Sequence, residues 1–375
     1  MSLFFLAFLL IYSGMHLLVW WGVRPLIPAG QGLHLALLAW GVLMVAAPPL
    51  TRLLERAGFA EAAVGVAWLG YLWMGFLWLA FALFTALAAW NGSVRLAGRR
   101  FPALQRWTLY GPRPALFVLV LVLVAGTWAF FEARRLHIET VRLTVSTLPP
   151  GRTQLRIVQI SDLHLGLINH EPLLREVIAR TDALRPDLVV VTGDLLDAQP
   201  DHLEGLAPVW QELQPPLGKF AVVGNHEVYA GRDHSLQFLA AAGFRTLIDE
   251  LVNVDGIQVA GVPDPAWGRS RGETALLAGA DPTRVTLLLK HRPWVEAGAI
   301  GRFTVQLSGH AHRGQIFPFT LLTGLAYPRQ DGLYRLGREC WLYTSRGTGS
   351  WGPPMRLLSP PEITVIELVG ATTEP

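Results

Sequence analysis

The sequence predicts a four-helix transmembrane region followed by an α/β domain, and three observations carry that prediction. The 375 residues are 51% hydrophobic and only 16% charged, whereas about a quarter of an average soluble domain is charged. The charge is unevenly divided: residues 1–150 hold 11 Lys and Arg against 4 Asp and Glu, and residues 151–375 hold 20 against 24. From Leu155 onward, long apolar stretches give way to short β-rich runs, each followed by a Gly- or Asp-containing loop and then helical spacing, the mark of α/β architecture. The expected division is a transmembrane anchor over 1–135 and a soluble domain over 136–375. The apolar content excludes intrinsic disorder, and a lone cysteine, Cys340, excludes an intrachain disulfide.

A bilayer core about 30 Å thick needs roughly 20 apolar residues per helix. Four stretches reach or approach that length: Ser2 to Trp21, Leu33 to Leu50, Ala62 to Trp90 and Pro114 to Phe131. None carries an Asp, Glu, Lys or Arg in its interior, which hydrocarbon demands. Trp20, Trp21, Trp90 and Trp128 sit near segment ends, where amphipathic rings favour the headgroup level. The first stretch lacks the basic start of a signal peptide, so it reads as a retained helix. His16 and His34 are the ionisable groups nearest the membrane interior, and packing or interfacial placement is the plainer reading of both. The four helices therefore read as an anchor, not a transport path.

Arginines in the short loops set the orientation. The first loop holds Arg24, the second Arg52 and Arg56, and the third Arg95, Arg99, Arg100, Arg106 and Arg113. The third loop is expected in the cytoplasm, which places the soluble half on the opposite, extracytoplasmic face of a multi-pass cell-membrane protein. Arg134 and Arg135 oppose this weakly.

In the soluble half, Leu155 to Ile160 reads as a strand ending at Ser161-Asp162-Leu163-His164, and Glu171 to Leu184 has helical spacing. Asp187 to Thr192 reads as a second strand, ending at Gly193-Asp194-Leu195-Leu196-Asp197. Phe220 to Val223 is a third, ending at Gly224-Asn225-His226-Glu227. Leu251 to Val262 reads as a hairpin turning at Asp255-Gly256. Arg284 to Leu289 precedes Lys290-His291, and Phe303 to Leu307 precedes Ser308-Gly309-His310-Ala311-His312. Five strands thus end on metal-type residues, and the loops beyond them are expected to open along one sheet edge. Alternate histidines leaving a strand point to one face, so His310 and His312 are expected to act together.

Asp162, His164, Asp194, Asn225, His226, His291, His310 and His312 offer carboxylate, amide and imidazole without thiolate. Such donors suit Mn, Fe or Zn. The ligands outnumber what one ion needs, and a pair of divalent ions bridged by a carboxylate uses them all, clamping an in-line phosphoryl displacement by hydroxide.

In these blocks the chain resembles the calcineurin-like metallophosphoesterases, whose signature is D-x-H, G-D-x-x-D, G-N-H-[DE], an isolated H, and G-H-x-H. Ser345-Arg346-Gly347-Thr348-Gly349 and Pro360-Pro361-Glu362-Ile363 make it similar to the membrane-linked branch. The resemblance implies a four-layer α/β/β/α sandwich. It implies a first ion on Asp162, His164 and His312, a second on Asn225, His291 and His310, and Asp194 as the bridge. His226 is then the group that hydrogen-bonds phosphate or protonates the leaving oxygen, with Asp197 and Glu227 orienting ligands.

The remaining residues admit blander readings. Arg292 and Arg313 flank ligands and are candidates to hold phosphate, with surface pairing the alternative. Lys290 and Arg292 together favour an anionic substrate if they face it. The Gly- and Pro-rich run from Gly347 to Met355 is expected without regular structure, and Trp351 is a candidate binding lip. His170, His202 and His234 read as surface residues, Cys340 as a buried small hydrophobe, and Asp264-Pro265 as a turn. The expected function is hydrolysis of a phosphodiester or pyrophosphate, with the membrane as partner and a lipid or lipid-linked phosphate as substrate. The alternatives are a metal-dependent nuclease or nucleotide phosphodiesterase, and a non-catalytic membrane interaction protein. The excess of acidic residues in 151–375 argues against nucleic acid.

Overall fold

The computed structural model describes residues 3–28, 30–197 and 203–371. They form two compact units: Met1–Phe131 with Gly352–Leu357, and Glu132–Trp351 with Leu358–Pro375. The first contains α1 (Leu3–Val23), α2 (Gln31–Arg56), α3 (Ala60–Gly98) and α4 (Pro112–Glu132), each long and apolar enough to cross a membrane. The helices outrun the apolar stretches that announce them, most of all α3 with 39 residues. Polar ends such as Asn91 to Gly98 continue the helix because its hydrogen bonds are local and need no apolar neighbour. Pro48 and Pro49 lie inside α2, as helices in lipid tolerate where neighbours restore the backbone bonds. His16 is a packing residue here: its Nδ1 lies 2.8 Å from the Tyr12 carbonyl oxygen, and Trp73 Nε1 donates to its Nε2 at 2.9 Å.

The second unit contains β1 (His137–Val145), β2 (Gln154–Ile160), α5 (Glu171–Ala183), β3 (Leu188–Thr192), α6 (Leu206–Gln211), β4 (Lys219–Val222), α7 (Asn225–Ala230), α8 (Arg232–Ala241), β5 (Arg245–Thr246), β6 (Glu250–Val254), β7 (Ile257–Val262), α9 (Glu273–Leu276), β8 (Thr286–Lys290), β9 (Val305–Ser308), α10 (Phe319–Ala326), β10 (Gly332–Gly337), β11 (Cys340–Thr344) and β12 (Glu362–Gly370). They make two six-stranded sheets, ordered β1-β12-β2-β3-β4-β5 and β10-β11-β9-β8-β7-β6. The β6–β7 hairpin turns where expected, pairing Val254 with Ile257. Strand β1 and the β10–β11 hairpin had no place in the sequence reading: β1 is mostly exposed, and its partner β12 lies over two hundred residues away.

Alternation along the central strands explains the layering. Leu155 and Ile157 of β2, Leu188 and Val190 of β3, and Leu287 and Leu289 of β8 meet between the sheets. Val158, Ile160, Val189 and Val191 turn outward onto Leu174, Val177, Val209, Trp210 and Phe238 of the flanking helices. Leu288 of β8 covers the other outer face with Leu276, Leu277 and Phe303. Side chains buried on both faces read as continuous apolar runs such as Val189-Val190-Val191. This is the α/β/β/α sandwich, its fourth layer built from short helical turns.

Candidate metal centre

The metal-type loops do not line one sheet edge, as the strand pattern alone suggested, but come from both sheets of the sandwich that the resemblance implied. β2, β3 and β4 deliver Asp162, His164, Asp194, Asn225 and His226 from one sheet, while β8 and β9 deliver His291, His310 and His312 from the other. Two stacked sheets with parallel central strands bring both sets of carboxyl ends to the same end of the sandwich, so ligands face each other across it.

Three overlapping groups of ligand atoms result: Asp162 with His164 and His312, His164 with Asp194 and His226, and Asp194 with His291 and His310. Within each group the atoms lie within 4.8 Å of one another. His164 Nε2 is 3.2 Å from His312 Nε2, and His310 Nδ1 is 3.0 Å from His291 Nε2, which in turn is 3.0 Å from Asp194 Oδ2. The tautomers follow from the outer contacts. His291 Nδ1 faces the Thr192 carbonyl oxygen at 2.9 Å and must donate to it, leaving the Nε2 lone pair aimed inward. His310 Nε2 meets the Tyr327 hydroxyl at 2.8 Å, leaving Nδ1 inward.

The donor set fits divalent cations. Buried atoms Asn225 Oδ1 and His164 Nδ1 have no hydrogen-bond partner among the described residues, and an orphaned buried acceptor beside inward imidazole lone pairs calls for a positive charge. Burial, with His226 beside it, pushes the His164 imidazole down to about 3. Burial and His291 do the same to His310, so both stay neutral and able to ligate. Burial works against the charged form of His291, but Asp194 and Asp162 raise it to about 10. A position that favours a proton so strongly favours a cation of any kind. Burial likewise opposes ionisation of Asp162, yet His312 and His291 hold its carboxyl below the usual carboxylate range.

The backbone bends hard to make this cluster. Asp162, His164, Asp194, His310 and His312 have φ of 52°, 51°, 51°, 71° and 47°, a region that costs non-glycine residues about 1–3 kcal/mol each. His310 and His312 therefore do not alternate as strand residues. The chain has left β9 at Ser308, and left-handed turns aim both rings inward. Glycines clear the floor beneath: a Cβ on Gly309 would overlap Ser161 Oγ and Asp162 Oδ2, and one on Gly224 would overlap Asp194 Oδ1.

Asp162 and Asp194 are also fastened from behind. His310 N–H donates to both oxygens of Asp162 at 3.0 and 3.1 Å, and His226 N–H donates to Asp194 Oδ1 at 2.8 Å. Glu227 is fully buried and accepts from four backbone N–H groups, those of Gly224, Asp194, Leu195 and Leu196, at 2.7 to 3.1 Å. It clamps the loop after β3 to the start of α7. Asp197 Oδ1 lies 2.7 Å from His226 Nδ1. Burial opposes the imidazolium, but Asp194 and this bond to Asp197 raise His226 to about 9.

Both basic residues flanking His291 are engaged in ion pairs. Lys290 pairs with the buried Glu273, and Arg292 closes a two-pronged pair on Asp264, Nε to Oδ2 at 2.6 Å and a terminal nitrogen to Oδ1 at 3.1 Å. Asp264 is thus a buried anchor as well as a turn residue, and its pairing with Arg292 gave no sign in the sequence. Arg313 pairs with Asp331 at 3.4 Å. Trp351 remains half exposed, with its ring 5.7 Å from that of His226. The loop before it is bound to the site, Thr348 N–H donating to Ser161 O at 2.7 Å and Gly349 N–H to Asp162 O at 3.0 Å. Arg346, bonded to Glu139 and Glu362, holds that loop from outside. Tyr327 was missed because a tyrosine 17 residues past a ligand carries no pattern. Cys340 is buried, as expected. His170 and His234 are partly buried, and His202 lies outside the described residues.

Two face-to-face sheets with imidazoles, carboxylates and an amide gathered at their carboxyl ends define a metal-dependent phosphoesterase. Sequence comparison agrees: the calcineurin-like phosphoesterase family matches residues 155–314. An uncharacterized metallophosphoesterase of Aquifex aeolicus is 36% identical over 263 residues, covering 68% of this chain and 99% of that one. A Bos taurus transmembrane protein with metallophosphoesterase domain is 33% identical over 307 residues, covering 76% of this chain and 68% of that one. The chain belongs to the calcineurin-like metallophosphoesterases. Among solved structures, the NAD nucleotidase of Haemophilus influenzae aligns with a TM-score of 0.35 at 16% identity, over 52% of this chain and 45% of that one.

Proposed function

We propose that this protein is a membrane-anchored phosphoesterase that hydrolyses a phosphodiester or pyrophosphate of a lipid or lipid-linked substrate, using two divalent ions of Mn, Fe or Zn. The observation that carries the reading is the overlap of ligand groups at Asp194, which belongs to two of the three groups. Asp162, His164 and His312 would hold one ion, Asn225, His291 and His310 the other, with Asp194 between them. When bound, such ions make water a nucleophile at neutral pH and neutralise charge on the phosphoryl oxygens.

The chain's own groups do the rest. Asp197 fixes His226 with Nδ1 outward, so Nε2 faces the cluster and protonates the leaving oxygen. This role needs the imidazolium, which the hydrogen bond to the Asp197 carboxylate favours. kcat/KM should therefore fall at alkaline pH as that imidazolium loses its proton. Asp197→Asn removes a carboxylate that raises the pKa, so its alkaline limb should move to lower pH while bound metal is unchanged. An unmoved limb would remove His226 from the acid role.

The anchor, residues 1–135, keeps the catalytic part, 136–375, beside a two-dimensional pool of substrate, which motivates the lipid assignment. With five arginines in the third loop, the catalytic part is extracytoplasmic in a cell membrane. An alkaline-phosphatase fusion after residue 150 should be active, and an inactive one reverses the orientation.

A further inference from the structure

Helix α10 is unsheltered, unlike the other α-helices described in the catalytic unit. None of its eight residues is buried, although it reads Phe-Thr-Leu-Leu-Thr-Gly-Leu-Ala. Leu325 is 82% exposed, Leu321 65%, Leu322 53%, and Phe317 just before the helix 40%. Single exposed leucines are ordinary, but a contiguous apolar patch marks an interaction surface. Residues 314–328 contain no Asp, Glu, Lys or Arg, while Arg313 and Arg329 stand at the two ends. An apolar helix with cationic flanks is the pattern of a segment that lies in the headgroup region of a bilayer.

We propose that α10 and the turn before it dip into the membrane surface as a lipid-contacting lip beside the metal centre. The occupant is a bilayer because the same chain already lives in one. Helix α4 ends at Glu132 and β1 begins at His137, and the four residues between reach at most about 14 Å when extended. The catalytic unit therefore starts its fold within a few residues of a spanning helix. Lipid is therefore an apolar phase within reach of the unit that bears the exposed leucine helix.

The lip is wired to the site at both ends. Arg313 O accepts from Thr320 Oγ1 at 2.8 Å, next to His312. Tyr327, the residue after α10, sets its hydroxyl 2.8 Å from His310 Nε2. Lipid engagement of α10 thus steadies two candidate ligands from outside. That an acyl-bearing phosphate reaches the site along this lip rests on the lipid reading above; the insertion of α10 does not.

The test uses the full chain in nanodiscs of phosphatidylethanolamine and phosphatidylglycerol. Leu325→Cys carries an environment-sensitive fluorophore, and Arg302→Cys, exposed before the start of β9 at the opposite end of the sheet, is the control; the native Cys340 is buried and spared. Shallow doxyl-labelled lipid should quench the Leu325 label several-fold more than the Arg302 label. Leu321→Asp with Leu322→Asp should abolish that difference while the circular dichroism of the folded protein stays unchanged. A Leu325 label as water-exposed as the control overturns the proposal. So does a label shielded from water but unquenched by lipid, which would mean that a second copy covers the helix. Hydrolysis of lipid-linked phosphate is scored separately: quenching without it keeps the lip and removes the lipid substrate.

Discussion

Replacing Asp194 by Asn should lower Mn-dependent cleavage of a chromogenic phosphodiester by roughly 10³-fold or more. Lewis-acid stabilisation by a bound ion is worth several kcal/mol, and each 1.36 kcal/mol is about tenfold in rate. Asp194 Oδ1 accepts from His226 N–H and Oδ2 faces His291 Nε2 at 3.0 Å. Asn can satisfy the first contact with its carbonyl, so the loop keeps its shape. Its NH2 then points at the cluster, donating where a negative acceptor was needed. The variant should stay folded by circular dichroism while its metal content falls below the roughly two ions per chain expected of the native protein. Full activity in Asp194→Asn would refute the assignment of this cluster as the catalytic centre. A native protein that binds no transition metal would instead favour the non-catalytic alternative.

Glu227→Gln should cost stability as well as activity. Four backbone N–H groups converge on one carboxylate in a fully buried position, the partners an anion requires. The Gln NH2 would oppose two of these donors and leave them unsatisfied, at about 1–3 kcal/mol each. A total of about 3–5 kcal/mol matches the usual penalty for breaking a buried charged contact. In a unit of this size each kcal/mol shifts Tm by roughly 2–4 °C, so a melt followed by near-ultraviolet circular dichroism in detergent should fall by roughly 10 °C. Glu227→Asp should fare little better, since the shorter side chain cannot reach Gly224 and Leu196 together. An unchanged melt would show that other contacts hold the loop after β3. The same carboxylate explains the left-handed backbone at Asp194: four fixed N–H groups over-determine a turn that the residue alone would avoid.

Much of this was legible in the residues, and the reasons are local. Membrane helices announce themselves because hydrocarbon tolerates no central charge, and Ala62 to Trp90 has none. Doubly buried strands announce themselves as short apolar runs, and Leu188–Thr192 ends next to Gly193-Asp194 as read. The ligand blocks are contiguous in sequence because each sits in one loop after one strand. Their chemistry was therefore available before any coordinates: nitrogen and oxygen donors, no thiolate, and a number sufficient for more than one ion.

What the tertiary structure decided concerns pairs of residues far apart in the chain. That the loops come from two stacked sheets and not one depends on β7 to β9 pairing with each other instead of extending β4. Nothing in an apolar run of five residues names its neighbour. That Arg292 pairs with Asp264 and Lys290 with Glu273 depends on partners 28 and 17 residues away. Long-range ion pairs leave no period in the sequence. The leucines of α10 look like core residues by composition, and only the packing shows that none of them is buried. The sequence by itself determined four helices apolar enough to span a membrane, an α/β domain and a metal-binding inventory, since these rest on solvent preference and local spacing. The fold determined which side chains are spent on each other and which still face outward, because that is a matter of distance.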